Sequence, residues 1–204
     1  MYRFFYAPNS CSLASHIALE QAGAAYEAIK VNLGTNEQRE DKYLSINPKG
    51  RVPVLAAPDG ILTENLAILV YISQTFPEAR LAPLDDPFAS AQVLSFCTYL
   101  SSTVHVAHAH GARGYRWADD PVAVSEMKRK TPETMGECFE MIETKLFKGP
   151  WVMGEDYSIS DIYLFTIATW LEADGVDPAR FPKVHEHRTR MLSDPIVKKV
   201  IAAQ

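Results

Sequence analysis

The chain opens on an apolar run, Tyr2-Arg3-Phe4-Phe5-Tyr6, that is rich in β-formers and ends before Pro8, which predicts a strand over 2–6. Leu13, Ile17, Ala18 and Leu19 then recur near helical spacing, so residues 12–22 read as a helix. Ser10 or Asn9 is placed to cap its start, and Gly23 to close its end. Residues 26–33 read as a second strand, and the polar, charged stretch 36–45 as a loose, partly exposed helix. Strand, helix and strand at this spacing form a βαβ unit, whose two strands run parallel. Asn47-Pro48-Lys49-Gly50-Arg51-Val52-Pro53 is a turn entering a short strand, with Pro53 at the strand's start, where a missing N–H is tolerated. The turn Pro58-Asp59-Gly60 predicts antiparallel pairing of 54–57 with 61–63. Thr63-Glu64-Asn65 precedes a strong helix carrying Leu66, Ile68, Leu69, Tyr71, Ile72 and Phe76. The first half therefore reads βαβα–ββα.

Residues 77–87 hold three prolines in eleven positions, which excludes a helix interior. The chain divides there into 1–78, a linker over 79–87, and 88–204. Everything after the linker has helical periodicity, with helices expected near 88–112, 121–147, 159–172, 181–192 and 195–202. Ser158 and Asp161 stand as N-cap and third helical residue of a capping box, with Tyr157 and Ile162 where a hydrophobic staple would sit. On that reading Asp161→Ala removes about 1 kcal/mol or more of stability.

Composition narrows the function classes. With 204 residues, 47% of them hydrophobic, and a formal net charge of −5, the chain has ample core material. It has no basic field to attract nucleic acid or an anionic membrane. No apolar run approaches the roughly 20 residues of a membrane span. The strand-like start lacks the apolar stretch and cleavage site of a signal peptide, so the cytoplasm is the expected compartment. Three cysteines, Cys11, Cys97 and Cys138, are too far apart in sequence for a CxxC motif, and their odd number argues against a disulfide framework.

Cys97 and Cys138 fall in apolar-periodic stretches and read as core, which leaves Cys11 as the one thiol in a turn. Two readings of Cys11 stand side by side. It is a small packed hydrophobe, as many free cysteines are, or it is a thiolate favoured by the unpaired N–H groups and positive dipole at a helix start. His105, His108 and His110 cluster in the first long helix, but no carboxylate or cysteine stands near them in sequence, so a zinc site is not expected. Arg113-Gly114-Tyr115-Arg116-Trp117 mixes cations and aromatics, as either a solvated loop or a surface for an apolar substrate.

The βαβα–ββα half with Val52-Pro53 before its third strand resembles the thioredoxin fold. The helical half with its Ser-x-x-Asp box resembles the C-terminal domain of glutathione transferases. Over essentially the whole chain, Cys11-Ser12-Leu13 with His16, then Asn47 to Pro53, Thr63-Glu64 and His105, resemble the bacterial beta class of that superfamily. The resemblance implies an α/β thioredoxin-like glutathione-binding domain over 1–78 and an all-α domain over 88–204. It implies glutathione as co-substrate, no metal, a small hydrophobic electrophile as second substrate, and a homodimer. By the family pattern Pro53 is cis, and Val52 presents its backbone to the cysteinyl group of glutathione, an added-strand mode of recognition. Arg51, Glu64 and Asn65 fall to the glutathione site, with N–H groups at the helix start for the ligand's carboxylate and Glu64 for its ammonium. Cys11 matches the cysteine able to form a mixed disulfide with glutathione. His105 matches the histidine that approaches the glutathione sulfur, and Thr98, seven residues earlier, a second polar position that is commonly Asn. This chain also departs from the pattern at Asn65, usually Ser, and at Val106, often Lys. Tyr6 is implied to pack, Ser12 to be a weaker alternative catalyst, and His16 to be structural. The expected function is conjugation of the glutathione thiolate to hydrophobic electrophiles, with thiol–disulfide exchange through Cys11. The competing expectation is a non-catalytic ligand-binding or regulatory protein on the same fold.

Overall fold

Strand β1 (Tyr2–Tyr6) alternates its large side chains between two apolar layers. Phe4 lies wholly buried on the side of helix α1 (Ser12–Gln21), where its ring meets His16. Phe5 points the other way, into a cluster with Val31, Tyr43 and Val54. This period-two burial on both faces makes β1 a central strand. In the computed structural model, which describes all 204 residues, it is flanked by β2 (Tyr26–Lys30) and β3 (Val54–Ala57), with β4 (Gly60–Thr63) outermost, giving the order β2-β1-β3-β4. β1 pairs with β2 in parallel, Phe4 opposite Ala28, and with β3 antiparallel, Phe4 opposite Leu55. The β3–β4 hairpin pairs Val54 with Thr63. The βαβ unit and the hairpin expected from sequence are both present.

Helix α1 ends in a Schellman arrangement: Gly23, at φ +63°, donates to Glu20 O, and the Ala24 N–H reaches back to Leu19 O. Its start differs from the expected cap. Cys11 itself occupies the N-cap position, with no cap from its own side chain, while Asn9 adopts a left-handed φ of 56° and the Ser10 hydroxyl accepts the Ser12 N–H at 3.2 Å and donates to Ala7 O. The polar stretch after β2 forms two 3₁₀ turns, Leu33–Thr35 and Glu37–Arg39, before the short helix α2 (Asp41–Leu44). With few apolar residues on one face, 36–45 has nothing to bury along a longer helix. Helix α3 (Asn65–Thr75) packs against α1 through Ile68, Leu69 and Ile72, all fully buried.

The structure separates into two compact units, Met1–Ser90 with Met191–Gln204, and Ala91–Arg190. The final helix, α9 (Pro195–Ala202), thus belongs to the sheet's unit and packs on α1. This differs from a division that gives everything after residue 87 to the helical half. The amphipathic period of 195–202 marks an apolar face, with Val197 and Val200 buried, but not which surface it covers.

The second unit is helical. α4 (Pro87–Tyr99) and α5 (His105–Arg113) form the expected long run, joined by a wider π-helical turn over Leu100–Val104, where the Ser101 and Ser102 hydroxyls both donate to Thr98 O. α6 (Pro121–Met141) packs on α5 and ends in a second π-helical turn, Ile142–Leu146. Every residue of α7 (Ile159–Ala168) is buried, and α8 (Pro182–Ser193) follows. Ser158 and Asp161 close the expected capping box. Asp161, wholly buried, accepts from the N–H groups of Ser158 (2.9 Å) and Val152 (2.8 Å), and lies 3.1 Å from His187 Nε2. No helix is long and apolar enough to cross a membrane.

Candidate functional site

In the sheet's unit the turn from β1 into α1 is knotted by hydroxyls. Ser12, fully buried, accepts from the Ala7 N–H at 3.1 Å and sits 2.6 Å from the Ser10 hydroxyl, which donates to Ala7 O at 2.8 Å. Ser12 is therefore committed to holding the loop. Tyr6 is 6% exposed, and its hydroxyl donates to Ala203 O at 3.2 Å, so it ties α9 to the sheet. His16 lies among the rings of Phe4, Tyr6 and Tyr26, with Nδ1 3.4 Å from Gln204 Nε2. Burial pushes its pKa down to about 4, so the ring is neutral at pH 7. Cys11 remains half-buried at the helix start, its Sγ 3.8 Å from the carbonyl oxygen of Val52. The other two thiols contrast with it: Cys97 and Cys138 are buried, and desolvation pushes both thiols up, away from thiolate.

The Val52–Pro53 bond is cis, as expected, with Val52 half-buried and Pro53 buried. The loop before it is clamped by a residue that sequence reading treated only as part of a turn. Asn47, 1% exposed, donates through Nδ2 to Arg51 O at 2.8 Å and accepts the Lys49 N–H at 3.1 Å. Tyr43 donates to the same Arg51 oxygen at 2.7 Å. An Asn whose side chain bonds two residues on is the signal that marks Asn47. Gly50, at φ +59°, has no room for a side chain, because a Cβ there would lie 2.9 Å from Gln38 O. The Arg51 side chain itself is exposed.

At the start of α3, Glu64 takes φ 72° and ψ 120°, an uncommon conformation for a residue with a Cβ. Its carboxylate pairs with Lys49 Nζ at 2.6 Å, and that ammonium also donates to the Thr63 hydroxyl. Lys49 is thus a further member of this cluster. Asn65 is 6% exposed, accepts the Ser15 hydroxyl at 2.6 Å, and has an amide nitrogen that makes no hydrogen bond within the chain. An unmatched buried donor beside the N–H groups of a helix start suits an anionic ligand group. Cys11, Val52 and Pro53 are thereby brought together, and Glu64 and Asn65 stand beside each other on α3.

Thr98 and His105 lie in the helical unit. Thr98 is exposed on α4, and His105 is half-buried as the first residue of α5. His105 packs on Trp170, ring centroids 4.9 Å apart, and Trp170 stacks on His108 at 4.2 Å. His108 Nδ1 is bonded to both carboxylate oxygens of Asp174, at 2.9 and 2.8 Å. His110 instead packs edge-on against Trp117 at 4.5 Å, and Tyr115 and Trp117 are exposed. The three histidines therefore do not converge, and no group of three or more His, Cys, Asp or Glu residues is arranged to hold a metal ion.

Residues 1–74 match the model of the glutathione S-transferase N-terminal domain, and residues 104–195 that of the C-terminal domain. Among solved structures, a glutathione transferase homolog from Sulfitobacter with bound glutathione is 43% identical, with a TM-score of 0.96 over 100% of this chain and 98% of that one. A bacterial beta class glutathione S-transferase from Sphingomonas chungbukensis is 32% identical, with a TM-score of 0.84 over 98% of each chain. The glutathione S-transferase GstA of Escherichia coli O157:H7 is 27% identical over 99% of this chain and 98% of its own length.

Proposed function

The chain belongs to the glutathione S-transferase superfamily, and from that premise we propose that it is a beta-class-like transferase. It joins the glutathione thiolate to small hydrophobic electrophiles and exchanges disulfides through Cys11. The observation that carries this reading is the half-buried Cys11 at the start of α1, 3.8 Å from the backbone oxygen of Val52. Glutathione is proposed to add as a short strand along Val52-Pro53, with its γ-glutamyl carboxylate toward the N–H groups and the unmatched amide of Asn65. Glu64 takes its ammonium in competition with Lys49, and the Arg51 backbone, held by Asn47 and Tyr43, keeps the edge in place. His105 is the second catalytic residue, with Thr98 as an accessory polar group. The protein is further proposed to act as a cytoplasmic homodimer.

Two reactions share this site. In conjugation the glutathione sulfur gives its electron pair to an electrophilic carbon, a leaving group departs with the bonding pair, and the thiol proton passes to solvent or a base. In exchange, the Cys11 thiolate attacks a glutathione mixed disulfide, forming a Cys11–glutathione disulfide and releasing the substrate thiolate. A second glutathione thiolate then attacks the glutathione sulfur of that bond, which yields oxidised glutathione and restores Cys11. Retention on immobilised glutathione followed by turnover of chlorodinitrobenzene supports the enzyme. Failure of both returns the chain to the non-catalytic reading.

A further inference from the structure

In the helical unit, three residues that the proposed reaction does not use directly, His108, Trp170 and Asp174, form a two-by-two arrangement with His105. Helix α5 supplies His105 and His108, three residues apart and on one face, ring centroids 6.2 Å apart. The turn that follows α7 supplies Trp170 and Asp174, linked by the Asp174 N–H donating to Trp170 O at 3.0 Å. Trp170, 6% exposed, lies against both imidazoles: nearly parallel to His108, at 24°, and tilted at 57° to His105. The Asp174 side chain is 7% exposed and directs both oxygens at one nitrogen of His108.

That bond restricts rotation of the His108 ring and places a proton on Nδ1, so a single tautomer and a single orientation face Trp170. For packing alone an apolar pair would serve as well, without a carboxylate to desolvate. What the Asp174–His108 pair adds is orientation, passed through the indole to the imidazole beside it. We infer that Asp174 and His108 are positioning residues that fix the ring of His105 through Trp170. The inference rests on the reading of His105 as a catalytic residue, and it names what holds that residue in register. A misplaced catalytic group loses rate more than affinity.

Steady-state kinetics with glutathione and chlorodinitrobenzene test it. Asp174→Ala is expected to lower kcat about tenfold and leave the glutathione KM within about twofold. Asp174→Asn, which still accepts from Nδ1–H, restores most of that loss. In a His105→Ala background, Asp174→Ala changes kcat by less than about twofold, because the two act as one unit. An equal loss in both backgrounds, or a raised KM at constant kcat, overturns the inference. If Asp174→Ala does not fold, His108→Phe keeps the stacked ring and removes the bond, with the same kinetics expected. The Cε1–H resonance of His105 gives a readout independent of turnover: it shifts in Asp174→Ala and in His108→Phe. Full activity of His105→Ala would sink the catalytic reading of His105, and the resonance then still decides the positioning claim. A resonance that stays in place refutes it.

Discussion

The sulfur of Cys11 and the carbonyl oxygen of Val52 lie 3.8 Å apart across 41 residues of chain. One stands at the N-cap of α1, and the other on the edge that precedes Pro53. The pairing separates two chemistries. Conjugation needs hydrogen-bond donors near the glutathione sulfur, whereas exchange needs the Cys11 sulfur itself as nucleophile. Cys11→Ala is expected to remove disulfide-reductase activity with hydroxyethyl disulfide by more than about a hundredfold and to lower chlorodinitrobenzene conjugation by less than about tenfold. Reductase activity that survives in the alanine variant refutes the exchange role.

Glu64 is half of an exposed ion pair, so its charge matters to a ligand more than to the fold. Exposed pairs contribute about 1 kcal/mol or less, and both side chains here are at least 50% exposed. Glu64→Gln is expected to raise the glutathione KM about tenfold with kcat nearly constant, as loss of uniform binding does. Its melting temperature should match the parent. A KM unchanged in that variant removes Glu64 from the ammonium site.

The clamp at Asn47 couples stability to binding. Asn47→Ala deletes two side-chain hydrogen bonds, to Arg51 O and from the Lys49 N–H, in a residue 1% exposed. At about 1 kcal/mol each the expected loss is about 2 kcal/mol in a urea titration. Because the same bonds fix the backbone leading to Val52, the glutathione KM should rise alongside. A variant that loses stability but binds glutathione normally would show that the Val52 edge is held by Tyr43 and Pro53 alone.

These particulars show what the chain's pattern conveys and what it conceals. Strands, both long helical runs and the capping box at Ser158 are written in local periodicity and local cap chemistry, which act over a few residues. The cis bond at Pro53 and the assignment of Glu64 to a ligand's ammonium came from resemblance. The partners across space left no local trace: Asp174 to His108 spans 66 residues. The placement of α9 on α1 depends on pairs such as Lys199 with Glu20 and Tyr6 with Ala203, separated by 179 and 197 positions. The N-cap position at Cys11 was hidden because Ser10, one residue earlier and with the better capping side chain, is the residue whose hydroxyl accepts the Ser12 N–H while also donating to Ala7 O.

Asp161 does more than a cap requires. A capping residue replaced by alanine loses about 1 kcal/mol. Asp161 is fully buried and also accepts from the Val152 N–H and meets His187 Nε2. Removing it leaves two buried N–H groups and an imidazole without their acceptor, each unmet group adding about 1–3 kcal/mol. Asp161→Ala is expected to lose about 3 kcal/mol or more by urea unfolding, and Asp161→Asn less. A loss near 1 kcal/mol would mean that the Val152 and His187 contacts add nothing.

His16 sets an acid limit on the sheet's unit. Its pKa falls from 6.5 to about 4, chiefly through burial, with Lys199 pushing it lower and Glu20 opposing. Between those two pH values the unfolded chain takes up a proton at this ring and the folded chain does not. Stability therefore rises with pH across the window and is lost as pH falls below 6.5, at a slope approaching about 1.4 kcal/mol per unit. The whole effect of this one ring is about 3 kcal/mol by pH 4. Replacing His16 with Phe, which suits the surrounding rings of Phe4, Tyr6 and Tyr26, should flatten the urea-midpoint profile between pH 6.5 and 4. The same substitution gives up the Nδ1 contact with Gln204, so the stability at pH 7 should drop slightly while the acid slope shrinks. Parallel profiles for the parent and His16→Phe would assign the acid sensitivity to other groups and leave His16 as a packing ring alone.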